Sequence, residues 1–356
     1  MSRFLLLAIV ALLQVAFIVL TLILLFVTRM RGSVRRARDT DASIAIAPGL
    51  RSIMLGDDRG EMLADALSKL RPHDAAAEMM AIGGSRLSGE QLRNLAKLVR
   101  RSAWVEHTLR QGSSRKWWKR MEAARLIAVV CDEGDDEILA PLVTDPHPAV
   151  ASAATTAIGA CAGARLIEAV VTGLPSRPPS VRLRQCNALR NHSELATRIV
   201  VDLFSRPASA QQLRAWVQLV EILATPRALA AVVPLASHPD VEVRTSTARA
   251  LRSYFSPDAT EAVARLLGDE DWRVRAAAAR AVGALKVVNA IPLLTDAMRD
   301  ESWWVRFRAA LALAELSQEG RSALGAARNS PDPYARDMAT MVCGLSAGSC
   351  LELTSA

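Results

Sequence analysis

Beyond about residue 88, apolar positions recur at the spacing of one helical face, and the whole pattern then repeats as a block. In the clearest block, Val274, Ala277, Ala278, Ala281, Val282 and Leu285 follow the i, i+3, i+4, i+7 spacing of an amphipathic helix. A shorter apolar stretch at 290–298 follows, with Pro292 at an early position that a helix tolerates. Turns rich in Asp and Pro separate the blocks at 145–148, 238–240, 269–271, 300–301 and 330–333. An aspartate there can cap the next helix N-terminus and favour its dipole. The pattern predicts eight helical pairs, whose second helices begin near residues 116, 148, 179, 210, 240, 271, 302 and 333. No strand pair with an Asn-Gly or Asp-Gly turn is visible, so the expected fold is all-α.

One polar position keeps the same period. Arg120, Ala151, Arg182, Arg214, Arg244, Arg275, Arg306 and Arg336 follow one another at a nearly constant step of about 31 residues. A period this regular marks a solenoid built from one supersecondary unit. Residues 44–87 do not share it. Helical patterns at 61–70 and 74–82, broken by Pro72 and by Gly83-Gly84, read as an N-terminal cap.

The N-terminus adds a different element. Residues 4–28 carry no charge, and 19 of these 25 are Leu, Ile, Val or Phe. At roughly 0.3–0.6 kcal/mol each they favour a bilayer by roughly 6–11 kcal/mol, and as a helix they would extend about 37 Å. The apolar core is too long for a cleavable signal peptide, and no Ala-x-Ala site follows it. Arg3 precedes the stretch, while Arg29, Arg31, Arg35, Arg36 and Arg38 follow it. The positive-inside rule then predicts an N-terminus outside and everything after residue 30 in the cytoplasm.

Charge and cysteine content refine this picture. Residues 1–40 hold six Lys/Arg and one Asp, whereas residues 41–356 hold 38 Lys/Arg against 35 Asp/Glu. The basic balance is therefore mostly a juxtamembrane feature, and it gives little reason to expect nucleic-acid binding. The five cysteines are odd in number and include no Cys-x-x-Cys pair. Three fall on apolar helix faces, which suits buried thiols in a reducing compartment.

The block pattern Asp-x-x-Val-Arg-x-x-Ala-Ala-x-Ala-Leu-Gly is best developed at 269–283 and 300–313, and weaker at 145–159, 178–190 and 240–251. It resembles the HEAT repeat, in the short form of phycobilin-lyase-type repeat proteins, over residues 88–346. At the front, Leu87-Ser-Gly-Glu-Gln-Leu92, Trp104-Val-Glu-His107, Ser114-Arg-Lys-Trp-Trp-Lys-Arg120 and Ala123-Ala-Arg-Leu-Ile127 resemble bacterial single-span, membrane-anchored HEAT proteins. That likeness implies an inner-membrane address, a cytoplasmic array and a protein partner such as a membrane glycosyltransferase of envelope or exopolysaccharide synthesis. The resulting organisation is a transmembrane anchor at 1–30, a basic linker and helical cap at 31–87, a HEAT solenoid at 88–346 and a tail at 347–356.

The HEAT likeness also implies a structural role for Arg120, Arg182, Arg214, Arg244, Arg275, Arg306 and Arg336. Each would stitch repeats together by bonding an inter-repeat aspartate or carbonyl, with Asp240, Asp271, Asp300 and Asp332 placed to receive them. The competing reading is a row of cations for an anionic partner, extended by Arg125, Arg249 and Arg280. Trp117-Trp118 and Trp303-Trp304 share a register, six periods apart. Neighbouring helical residues point about 100° apart, so one Trp of each pair should be exposed and available to a partner, unless it packs on an inter-repeat turn. Gln14, in mid-span, is a candidate contact to another helix.

Catalytic constellations are missing from the sequence. His73, His107, His147, His192 and His238 form no metal-ligand spacing, and the acidic run 132–137 lacks the alternation of a calcium loop. No phosphate loop, dinucleotide fingerprint or nucleophile elbow occurs. The His-Glu pairs of HEAT-type hydroxylases are missing too. The expectation is a non-catalytic scaffold with no cofactor, metal, nucleic acid or small-molecule substrate. A phycobilin-lyase-like enzyme and a nucleic-acid-binding HEAT protein are the alternatives.

Overall fold

The computed structural model describes residues 40–84, 87–132 and 134–345, with the single positions 14, 17, 20–22, 348, 352 and 353. The described residues form helices and turns, with no strand among them. Contacts divide the chain into two compact units, 1–132 and 133–356.

In the first unit, α1 (40–55) is followed by α2 (Glu61–Ser68), α3 (Pro72–Gly83), α4 (Gly89–Val99), α5 (Ala103–Arg110) and α6 (Trp117–Val130). Pro72 opens α3 at its first turn, where a missing N–H costs nothing, so it separates two helices without breaking either. Ser88 and Gln91 form a reciprocal capping box at the start of α4. Helix α3 packs on α5 and α6, and α4 packs on α2 and α6. Leu63, Leu67, Met79, Ile82, Leu95 and Ile127 are among the side chains fully buried in this unit. Helix α1 is tied to the rest by Ser43 Oγ donating to Glu78 Oε1 at 2.7 Å and Gln91 Nε2 donating to the Ile53 carbonyl at 2.9 Å.

The second unit contains α7 (Asp136–Val143), α8 (Pro148–Cys161), α9 (Ala164–Gly173), α10 (Pro179–Ala188), α11 (Ser193–Phe204), α12 (Ala210–Leu223), α13 (Leu229–Val232), α14 (Val241–Leu251), α15 (Pro257–Leu266), α16 (Trp272–Ala284), α17 (Ile291–Ala297), α18 (Trp303–Leu316), α19 (Gln318–Ala327) and α20 (Pro333–Cys343). These are seven helical hairpins, and α5–α6 supplies one more in the first unit. Every second helix starts within one residue of the position expected from the sequence. In the second unit the even-numbered helices form a row in which each packs on the next, from α8 to α20. The starts are set locally: Asp240, Asp271 and Asp332 accept N–H bonds from Val243, Arg273 and Ala335 at 3.1, 2.9 and 2.8 Å.

Small side chains let the row close up. Ala278, Ala281, Ala309, Ala310 and Ala312 are fully or nearly fully buried, and a Cβ on Gly283 would lie 3.0 Å from that of Ala312. Val274, Ala278, Ala281, Val282 and Leu285 are core, as their spacing indicates, but Ala277 is only half-buried. It lies on a surface that faces away from the core.

The inner-membrane assignment, with the N-terminus outside and the array in the cytoplasm, is overturned. Among the described residues no helix is long and apolar enough to cross a membrane. Helices of 14 residues such as α6, α8, α12 and α18 reach only about 21 Å, short of a hydrocarbon core of about 30 Å. Most of the apolar stretch 4–28 lies outside the described residues. Cys186 and Cys343 are free thiols, and burial pushes the Cys186 thiol up to about 12. Cys131 and Cys161 are disulfide-bonded, so the argument from reduced, buried thiols does not hold for them.

Close helix packing in the first unit yields a direct test. A Cβ on Gly49 would lie 2.8 Å from the backbone N and Cα of Leu63, atoms that cannot swing aside. Gly49→Ala should therefore lower stability by about 1–3 kcal/mol despite the better helix propensity of alanine, read as a reduced thermal-unfolding midpoint.

Candidate partner-binding groove

The arginine ladder resolves into one repeated geometry. In six of the seven arginines, Nη1 donates to carbonyls five or six residues earlier, in the turn that precedes its own helix. Arg120 takes Ser114 and Arg115, Arg182 takes Arg177, Arg244 takes His238 and Pro239, Arg275 takes Asp269 and Glu270, Arg306 takes Asp300 and Glu301, and Arg336 takes Ser330. The side chain at the earlier turn position closes the same turn from within. Ser114, Asp145, His238, Asp269, Asp300 and Ser330 each accept the N–H of the residue two positions on.

The other edge of the guanidinium reaches the next repeat where an acceptor stands 25 residues ahead. Arg244 binds both oxygens of Asp269 at 2.8 and 2.9 Å, and Arg275 binds both of Asp300 at 2.6 and 2.9 Å. Where position i+25 is proline the pattern changes. Arg182 turns to Gln218 Oε1 at 2.7 Å, Arg214 lies 3.9 Å from Glu242, and Arg306 stacks over the Tyr334 ring at 4.6 Å. Arg306 Nε is then buried without a hydrogen-bond partner among the described residues. Of the four aspartates expected to receive the arginines, only Asp300 does so by its side chain. Asp240, Asp271 and Asp332 are helix caps, and Asp269 was the residue overlooked. Its signal was the position two residues before each cap, which is repeated at Asp300.

The remaining candidates fall in two places. Trp118 and Arg125 line a cleft of about 520 Å³ in the first unit, beside Met121 and a His73–Glu122 contact. Trp117 meets Trp118 edge-on at 6.3 Å, and the Lys116 ammonium lies 5.5 Å from the Trp118 ring. Gln14 is helical and exposed, with most of its chain neighbours outside the described residues.

Arg249, Arg280 and Trp304 come together in the second unit, in a groove of about 470 Å³ across α14, α16 and α18. Arg252, Arg308 and Trp272 complete its walls, with Ala276 and Ala277 between them. Trp303 stands behind, stacked on Phe307 at 4.8 Å and edge-on to Trp304 at 4.9 Å, so it props the neighbouring indole. Trp304 remains 51% exposed and Trp272 42%, large apolar surfaces left beside water. Burial, and then the neighbouring Arg252, Arg308 and Arg249, lower the pKa of Arg280. Arg252 pairs with Glu221 at 3.2 Å, and Arg308 Nη1 donates to the Leu353 carbonyl at 2.8 Å. Trp272 was legible in principle, since it lies one repeat period before Trp303. Arg252 and Arg308 lie off the repeat register and carried no signal of their own. Among the described residues, no cluster of three or more His, Cys, Asp or Glu side chains could hold a metal ion.

Residues 260–344 match the family model for HEAT repeats. No curated protein matches the chain by sequence. Among solved structures, an engineered protein is 20% identical, covering 90% of this chain and 95% of its own, with a TM-score of 0.38. The Escherichia coli protein YibA is 16% identical over 73% of this chain and 97% of its own, at 0.39. A chain of the Pds5–Scc1 complex, solved for its implications for cohesin function, is 12% identical over 78% of this chain and 54% of its own, at 0.33. The assignment of HEAT repeats rests on the match at 260–344 and on the hairpins themselves. Neither the matches nor the described residues support the membrane-protein part of the earlier resemblance.

Two outcomes follow from this geometry. Arg244 is 7% exposed and leaves a nearly buried Asp269 behind when removed, whereas Arg214 is exposed. Arg244→Ala should cost about 3 kcal/mol and Arg214→Ala less than about 0.5 kcal/mol, compared by urea unfolding. Separately, hydrogen bonds from the Arg273 guanidinium hold the Asp271 carboxyl down to about 2. A depressed carboxylate contributes stability above its unfolded value, near 4, that is lost as pH falls through the folded value near 2. An NMR titration of Asp271 should show a midpoint near 2 in the wild type. Arg273→Ala should return that midpoint to the ordinary carboxylate range.

Proposed function

We propose that this chain is a non-catalytic protein-interaction scaffold. In this reading residues 88–346 form the repeat array, residues 31–87 cap it, and residues 347–356 are a tail. The ladder arginines stitch the repeats. Arg249, Arg280 and Trp304 contact the partner, while Trp303 supports Trp304.

The observation that carries the reading is the pair of half-exposed indoles, Trp272 and Trp304, in one groove with Arg249, Arg252, Arg280 and Arg308. Tryptophan and arginine are the residue types most enriched among binding hot spots, and here the stacked hairpins hold them in place before any partner arrives. The even-numbered helices present successive rungs to one extended segment, which suits the quasi-one-dimensional surface of a repeat array. A membrane glycosyltransferase as partner depended on the membrane address and is not carried forward.

The test is affinity capture of protein partners by the full chain and by Trp272→Ala/Trp304→Ala, with helicity checked by circular dichroism. A folded double variant should lose captured partners, and the affinity for any identified one should fall about thirty-fold or more. An unchanged captured set with a folded variant sinks the reading.

A further inference from the structure

The groove across α14, α16 and α18 already receives part of this chain. We propose that the C-terminal segment at Glu352 and Leu353 is a built-in occupant of the Arg308 end of the groove, which a binding partner has to displace. The proposal rests on the scaffold reading and adds a regulation of the same surface.

The contact itself is the first argument. Arg308 Nη1 donates to the backbone carbonyl of Leu353 at 2.8 Å, and the bond is partly shielded from water. The Leu353 side chain is half-buried, whereas Glu352 beside it is exposed. Burial lowers the pKa of Arg308, which agrees with a guanidinium that is partly covered. The chain reaches this place without strain. Helix α20 packs on α18, and the stretch from Leu345 to Leu353 can extend to roughly 27 Å, about three times the spacing of packed helices.

Helix geometry makes the contact part of the groove. Trp304 and Arg308 are four residues apart on α18 and so lie one turn apart on one face. Trp272, Ala276 and Arg280 repeat that spacing on α16. The Leu353 carbonyl is therefore held one turn from the half-exposed indole of Trp304. A partner chain that covers Trp304 and continues along α18 meets the segment at Arg308.

Polar groups of the groove are largely met from within the chain. Arg252 pairs with Glu221 at 3.2 Å, Arg308 holds the Leu353 carbonyl, and Arg280 and Glu352 each have an interaction of their own. What stays open is apolar: Trp272 and Trp304, with the half-buried Ala276 and Ala277 between them. The segment thus secures the polar end and leaves the indoles for a partner. One charge-assisted bond and one half-buried leucine make a weak contact, but tethering sustains it, because a short linker sets an effective concentration on the order of millimolar. A partner that buries both indoles can outcompete so weak a contact.

The experiment uses the 356-residue chain and a fluorescent peptide copying residues 344–356, in an anisotropy titration. In the wild type the segment fills its own site, so the added peptide should bind weakly. Leu353→Gly removes the half-buried side chain and makes the segment harder to order, so the site empties and the peptide should bind about ten-fold more tightly. Adding Arg308→Gln to Leu353→Gly should abolish that gain, because the peptide carbonyl then lacks its charged donor. Arg198→Gln, at an exposed position on α11, should match the wild type. Carboxypeptidase digestion followed by mass spectrometry reads the docked segment directly. Removal of Leu353 should be about ten-fold faster in Arg308→Gln than in the wild type, since cleavage follows the undocked population. If Arg308→Gln fails to fold, the titration of Leu353→Gly against the wild type decides.

Equal peptide binding by the wild type and Leu353→Gly, a gain that survives Arg308→Gln, or equally fast loss of Leu353 from Arg308→Gln and the wild type overturns the proposal. A partner captured through Trp272 and Trp304 should bind Leu353→Gly several-fold more tightly than the wild type. Should it bind both alike, the segment does not compete and the scaffold stands. Should no captured partner depend on the two indoles, the scaffold reading and the competition fall together.

Discussion

The array depends on how each inter-repeat turn is closed. In six places an arginine reaches back five or six residues and holds the carbonyls of the turn that launched its own helix. Most of these bonds are partly shielded from water, and a buried carbonyl left unpaired would cost about 1–3 kcal/mol. In Arg182, Arg244 and Arg275 the Nε of the same guanidinium reaches the next repeat. One side chain thus terminates a turn and registers a neighbour, which explains why the repeat period is carried so strictly by arginine.

How far that second contact succeeds varies along the chain. Arg244 and Arg275 find aspartates 25 residues ahead and make bidentate pairs that are nearly buried. Arg182, Arg214 and Arg306 meet proline at that distance and settle for an amide, a distant carboxylate and an aromatic ring. The strongest stitching therefore runs from α14 to α18, inside and next to the stretch that matches the HEAT model at 260–344. The groove lies across those same helices. The two bidentate pairs tie together the turns of those helices and so hold the half-exposed Trp272 and Trp304 on a stiff support.

Much of this was readable from residues alone. Helix starts were legible because their signals act within one turn: Asp240, Asp271 and Asp332 cap their helices, and Pro148, Pro179 and Pro333 sit in first turns. Asp269 escaped notice because two aspartates flank that turn and only three-dimensional reach separates a cap from a cross-repeat acceptor. Apolar spacing does not distinguish the packed face of an alanine-rich helix from a bare one, so Ala277 matches the core pattern yet is only half-buried. A face lined by methyl groups reads the same whether a neighbour covers it or a groove opens above it.

The period, the all-α class, the helix phases and the ladder followed from the sequence by itself, since each is a short-range rule repeated eight times. The binding surface was decided only by tertiary structure. Arg249, Trp272, Arg280, Trp304 and Arg308 come from three successive repeats and meet because stacking puts rungs side by side. Their charge has meaning only once helix packing has fixed how close the guanidiniums stand, and no local pattern contains that distance.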